Sequence, residues 1–234
     1  MSYRCLQTYH RTFQPRLASK WILKSNRLMS TYHFVVWLSR SVAKVLFRFR
    51  ILHRERMIET GPVILAMNHQ SYLDPPLVGS VSNRVIFSLA RKSLLDRSLW
   101  RWLLPKLNII PIDQNGRDYA ALKRVIRLLR EGKAALIFPE GARCIDGNLQ
   151  PPQPGLGFVI ANTLAPVVPM RIFGAHEAWP RGGSKISLRP ITIVVGHPIF
   201  FSSNDIRPLN RRTYQQLSDR VMEEIRNLTT ASVR

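Results

Sequence analysis

Val63 to Pro76 reads V-I-L-A-M-N-H-Q-S-Y-L-D-P-P. Val63–Met67 is a short unbroken apolar run, the pattern of a strand buried on both faces. Asn68-His69 ends it. Asp74-Pro75-Pro76 reads as a helix start, because Asp caps a helix and Pro suits its first turn. The same alternation continues downstream. Strands are expected at Val85–Ala90, Ile109–Ile112, Ala134–Phe138, Val167–Phe173 and Ile191–Val195. Helices are expected at Leu94–Leu104, Arg117–Arg130 and Leu156–Leu164. Tyr214, Leu217, Val221, Ile225 and Leu228 add a helical period near the C-terminus. Strands alternating with helices predict an α/β fold: a single layered domain with a mostly parallel, mixed sheet flanked by helices.

Upstream, Arg40, Lys44 and Arg48 recur every four residues. Val35, Leu38, Val42, Val45, Leu46 and Phe49 fall on the broad opposite face, with Trp37 near the boundary. This spacing predicts an N-terminal amphipathic helix over 32–52, either lying in a membrane interface or packed on the domain with its basic stems snorkelling. The organisation expected is a poorly ordered basic extension at 1–30, the interface helix at 31–54 and the main domain at 55–234.

The chain has 234 residues, enough for one well-buried core, and a formal net charge of +21. That charge predicts a polyanionic partner: an anionic membrane surface, phosphorylated substrates or nucleic acid. Eleven Lys/Arg precede the first acid, Glu55, so the excess is concentrated at the N-terminal end. The basic residues are scattered, with no zinc-finger spacing and no aromatic RNA-binding motif, so a nucleic-acid partner is not expected. Cys5 and Cys144 have no metal-ligand spacing; both are expected as reduced thiols, and no metal is expected. No run of about 18 apolar residues suggests a membrane span.

His69 and Asp74 are the candidate catalytic pair. A His with an Asp five residues on is weak by itself, since about 0.2 such pairs arise by chance in this composition. A solvated loop His beside a capping Asp would give the same letters. Placement favours chemistry, because sites in open α/β sheets gather beyond the carboxyl ends of strands. The carboxylate would orient one imidazole nitrogen, leaving the other to take a proton from a substrate hydroxyl. Phe138 to Arg143, F-P-E-G-A-R, is a second candidate. A tight turn with Gly141 and the guanidinium of Arg143 suits a phosphate, while Glu140 would hold Arg143 or bind an acceptor hydroxyl.

Together these blocks resemble the glycerolipid acyltransferases, and within them the 1-acylglycerol-3-phosphate acyltransferase family. Asn68 to Asp74 matches the family's NHxSxxD block in full. Arg91-Lys92 leading to I-I-P-I-D-Q resembles the second block, F-P-E-G-A-R the third, and A-P-V-V-P-M-R-I-F-G the fourth. The resemblance covers about Gly61 to Pro198. It implies transfer of an acyl group from acyl-CoA or acyl-carrier protein to a lysophospholipid hydroxyl, giving phosphatidic acid when the acceptor is 1-acylglycerol 3-phosphate. It implies His69 and Asp74 as the base and its orienting residue, and no cofactor beyond the thioester co-substrate. Glu140, Gly141, Arg143, Arg117, Asn68 and Ser71 are the implied substrate contacts. The implied partners are a membrane lipid acceptor and an anionic membrane surface, with the protein held at the cytoplasmic face. Three places depart from the pattern. Gln114 stands where the family has Arg, with Arg117 three residues on. Ala142 replaces Thr, and Pro152-Gln153 replaces Phe-Lys. Another acceptor therefore stays open: glycerol 3-phosphate, a different lysophospholipid or an aminolipid.

Overall fold

The computed structural model describes residues 15–91, 108–112, 119–183 and 185–232. The expected helix at Leu94–Leu104, with Trp100 and Trp102, lies outside them, as do Gln114 and Arg117.

The described residues open with α1 (Pro15–Phe47) and then β1 (Arg50–Leu52). The central run becomes β2 (Val63–Met67), followed by α2 (Asp74–Val78), β3 (Ile86–Arg91) and β4 (Ile109–Ile112). Next come α3 (Tyr119–Arg130), β5 (Ala134–Ile137), α4 (Gly155–Thr163), β6 (Val167–Phe173) and the short α5 (Ala175–Ala178). The last two main elements are β7 (Thr192–Val195) and α6 (Arg211–Asn227).

The seven strands form one sheet in the order β1-β7-β6-β2-β5-β3-β4. β6, β2, β5, β3 and β4 run parallel. β7 is antiparallel to β6, and β1 is parallel to β7, so the sheet is mixed as expected. β2 lies between β5 and β6, pairing Leu65 with Leu136 and with Val168. All five of its residues are buried, and their period of two divides the core. Val63, Leu65 and Met67 pack with Ala43 and Phe47 of α1, Leu77 and Val78 of α2, and Ala175 and Ala178 of α5. Ile64 and Ala66 pack with Val125 and Leu129 of α3, Val159 and Ile160 of α4, and Leu217, Val221 and Ile225 of α6. Apolar cover on both faces is why β2 reads as a continuous run and not as an alternating one.

The N-terminal helix differs from expectation at both ends. α1 extends back to Pro15, the first described residue, inside the stretch expected to be poorly ordered. It stops at Phe47 because Arg48 adopts φ 46, in the left-handed region. Arg50–Leu52, expected to continue the helix, is instead the edge strand beside Thr192–Val194. The apolar residues of α1 also do not share one face. Tyr32, Ala43 and Phe47 are buried against the domain. Phe34, Trp37, Leu38, Val42, Val45 and Leu46 are exposed, Trp37 at 61% and Val45 at 79%. No helix among the described residues is long and apolar enough to cross a membrane.

Candidate active site

Parallel pairing of β2, β5 and β6 sends the segments after Met67, Ile137 and Phe173 out at the same edge of the sheet. The three blocks separated in sequence therefore meet there. Asn68 ties the first to the fourth. Its side-chain amide donates to Ile172 O at 3.2 Å, and its Oδ1 accepts from Ile172 N at 2.8 Å. The Cys144 N–H donates to His69 O at 2.8 Å, which ties the first block to the third. Gln70 Nε2 donates to Gly147 O at 3.1 Å, a second link between the same loops.

Within this frame His69 Nδ1 lies 2.7 Å from Asp74 Oδ2. Asp74 Oδ2 also accepts from the backbone N–H groups of Gln70 at 2.6 Å and Ser71 at 2.8 Å. The Asp74 side chain is wholly buried, and that of His69 keeps 17% exposure. With Nδ1–H donating to the acid, Nε2 carries the lone pair and is the nitrogen able to accept a proton. The imidazole also stacks on Phe138, with ring centroids 3.8 Å apart and planes 12° from parallel. The carboxyl group fixes one edge of the ring and Phe138 fixes its face, so its orientation is set from two directions.

In the F-P-E-G-A-R turn, Gly141 adopts φ 73, and its N–H donates to Phe138 O at 3.0 Å. That N–H closes the turn and is not free for an anion. Glu140 is buried, and its Oε2 has no partner. Burial, reinforced by nearby Asp74, pushes its carboxyl up to about 8 against the pull of backbone groups of His69 and Gln150. Glu140 forms no ion pair with Arg143, one of the two roles expected for it. Arg143 instead lies over the ring of Tyr72, its Cζ 3.5 Å from the centroid, with Nη1 buried and unpartnered. Gln153, one of the departures, lies against this turn. Its N–H donates to Pro139 O at 2.8 Å, and its Cγ lies 3.3 Å from where a Cβ on Gly141 would sit.

His69, Asp74, Glu140, Gly141 and Arg143 are thus gathered at one edge of the sheet. Asn68 and Ser71, expected as substrate contacts, have backbone partners instead. Ser71 Oγ donates to Trp179 O at 2.8 Å and accepts from Leu73 N at 3.2 Å, and both residues are buried. They brace the loops. Phe138, Tyr72 and Trp179 were not singled out as site residues from sequence. Phe138 and Tyr72 stood inside the two quoted blocks, and that position was the available signal. Cys144 is a free, buried thiol, and burial pushes its pKa up. Among the described residues no cluster of three or more His, Cys, Asp or Glu could hold a metal ion.

An oriented imidazole and a guanidinium with a buried, unpartnered Nη1, at the carboxyl edge of a parallel sheet, define a site suited to transfer of a group to a hydroxyl on an anionic molecule. The family described as Acyltransferase matches residues 48–173, more than half of the chain, and the chain belongs to that family. It is 27% identical over 148 residues to a chloroplastic 1-acyl-sn-glycerol-3-phosphate acyltransferase of Brassica napus, covering 62% of this chain and 43% of that one. It is 27% identical over 198 residues to a 1-acyl-sn-glycerol-3-phosphate acyltransferase of Pseudomonas aeruginosa, covering 81% and 74%. The chain spans about half the length of the plant relatives it matches. The crystal structure of the 1-acyl-sn-glycerophosphate acyltransferase from Thermotoga maritima shares the fold, with a TM-score of 0.66 at 21% identity, over 94% of this chain and 86% of that one.

Proposed function

We propose that this protein transfers a fatty acyl group from a thioester, acyl-CoA or acyl-carrier protein, to the free hydroxyl of 1-acylglycerol 3-phosphate. The observation that carries this reading is the 2.7 Å contact between His69 Nδ1 and Asp74 Oδ2, which leaves Nε2 as proton acceptor. The acceptor O–H gives its proton to His69 Nε2 as the oxygen attacks the thioester carbonyl carbon. The tetrahedral intermediate collapses by breaking the C–S bond, and the thiolate recovers the proton from Nε2. The acceptor is itself the nucleophile, so no acyl-enzyme is needed, and the gain comes from holding two substrates in line. Neither a metal nor a cofactor takes part. Membership of the family and the activities for which the relatives are named support the same reaction.

Both substrates are amphiphilic, which gives the exposed face of α1 a role. Phe34, Trp37, Leu38, Val42 and Val45 enter the interfacial layer of a membrane, with Lys44 and Arg48 beside them for anionic headgroups. The protein lies on the membrane surface, at the cytoplasmic face.

One observation favours a second acceptor within the same reaction class. Gln153, against the F-P-E-G turn, is uncharged where the resemblance leads one to expect Lys. An acceptor other than 1-acylglycerol 3-phosphate would fit that loss of charge. A thiol-release assay with acyl-CoA or acyl-carrier protein separates the two. The acceptors to compare are 1-acylglycerol 3-phosphate, glycerol 3-phosphate, other lysophospholipids and an aminolipid. The highest kcat/KM is expected for 1-acylglycerol 3-phosphate. Preference for an acceptor without a phosphate monoester would contradict the assignment.

A further inference from the structure

A partly buried arginine is usually held by a carboxylate that neutralises it. Arg143 is held differently. Its guanidinium carbon lies 3.5 Å from the centroid of the Tyr72 ring, at cation–π distance. Among the described residues no acid pairs with it. Glu140, in the same turn, has its carboxyl pushed up to about 8 and is largely uncharged at neutral pH. Stacking occupies the flat face of a guanidinium and leaves the in-plane N–H groups for acceptors. One of them, on Nη1, is buried without a partner.

The platform is itself braced. The Trp179 ring lies 5.3 Å from that of Tyr72, and Trp179 Nε1 donates to Gly183 O at 2.9 Å. Ser71, adjacent to Tyr72, holds Trp179 O through the 2.8 Å bond from its Oγ. Arg181, two residues beyond Trp179, donates from Nη1 to the backbone Arg143 O at 3.4 Å, which ties this segment to the turn that carries Arg143. Tyr72 also lies between His69 and Asp74 in the chain. One loop therefore carries both the proton-transfer pair and the support of the cation.

We propose that Tyr72, backed by Trp179, is a positioning residue that aims Arg143 at the anionic group of the acceptor. The shared loop fixes the spacing between base and cation, and so selects a hydroxyl close to a phosphate on the same molecule. The proposal rests on the acyl-transfer reading for its substrate, but its first test is a binding measurement that needs no turnover.

The full chain is titrated calorimetrically with sn-glycerol 3-phosphate, as wild type, Tyr72→Leu, Tyr72→Phe, Arg143→Ala and the Tyr72→Leu/Arg143→Ala pair. Tyr72→Leu is expected to weaken binding by about tenfold. Tyr72→Phe keeps the ring face and restores most of the affinity. In the Arg143→Ala background Tyr72→Leu should cost nothing further, because the group it positions is gone. In turnover, Tyr72→Leu should raise the acceptor KM and leave the thioester KM unmoved. Equal affinity of wild type and Tyr72→Leu overturns the proposal, as does absence of binding by wild type. The same loss in the Arg143→Ala background, or an equal rise in thioester KM, marks a merely structural role and also overturns it. A wild type that binds through Tyr72 yet transfers no acyl group defeats the functional reading and leaves this one standing.

Discussion

Two carboxyl groups sit within one loop cluster here, and their surroundings give them opposite tasks. Asp74 accepts from an imidazole and two backbone amides through one oxygen. Glu140 is buried with one oxygen unpartnered, and its carboxyl rises to about 8 from an ordinary 4.5. In the proposed reaction Asp74 orients the base, so Asp74→Asn should lower kcat by about 100-fold or more, with the fold kept by circular dichroism. Full activity in that variant would show that His69 does not depend on it. Glu140 yields a stability prediction. Its folded form binds a proton more tightly than its unfolded form, so its contribution is present below about 4.5 and is lost as pH rises through about 8. Urea unfolding at pH 5 and pH 8.5 should show wild type losing stability over that interval, and Glu140→Gln losing less. An unchanged slope in the variant would mean that Glu140 is ionised throughout.

At the scale of elements, the main strands were legible because burial on both faces leaves a plain apolar run, as in Val63–Met67 and Ala134–Ile137. β1 was not. Its three residues follow α1 closely, and their apolar spacing continues the helical period until the left-handed Arg48 breaks it. The two-sided character of α1 was also hidden, because a helical wheel shows which residues are apolar but not which side meets a core. That division sets the experiment. Removing residues 1–54 would strip β1 from the sheet and Phe47 from the core, so altered vesicle binding would report damage. Trp37→Ser with Val45→Ser changes only the exposed face. It should cut binding to anionic vesicles in sedimentation several-fold, with little change in Tm; unchanged binding would place the membrane contact elsewhere. A second element-scale prediction concerns α4 on α6. A Cβ on Gly157 would lie 1.8 Å from Tyr214 O, and the Gly157 N–H donates to Ser218 Oγ at 2.9 Å. Gly157→Ala should therefore cost about 1–3 kcal/mol in denaturant unfolding, by forcing the helices apart. A neutral result would mean that they can shift without loss.

For the whole molecule, the charge and the fold act on the same step. On the proposed reading a net charge of +21 would draw the protein to anionic lipid, while the sheet places His69, Asp74 and Arg143 together at one edge. Vesicle binding should weaken markedly between 50 and 500 mM salt and be slight on neutral lipid, as screening of surface charge requires; salt-independent binding would assign the contact to apolar insertion alone. Much of the site was legible because the N-H-Q-S-Y-L-D letters place His and Asp across one strand–helix turn. The contacts of Arg143 on Tyr72 and of Tyr72 on Trp179 were not, because they join segments that meet only through parallel pairing of non-neighbouring strands. The parallel pairing of β1 with β7 is non-local in the same way. The most direct test of the central claim is acyl transfer by purified His69→Ala, measured as thiol release from acyl-CoA with 1-acylglycerol 3-phosphate. The account predicts a fall in kcat of about 10²–10⁴-fold with unchanged Tm and unchanged vesicle binding. Turnover near the wild-type rate would contradict it.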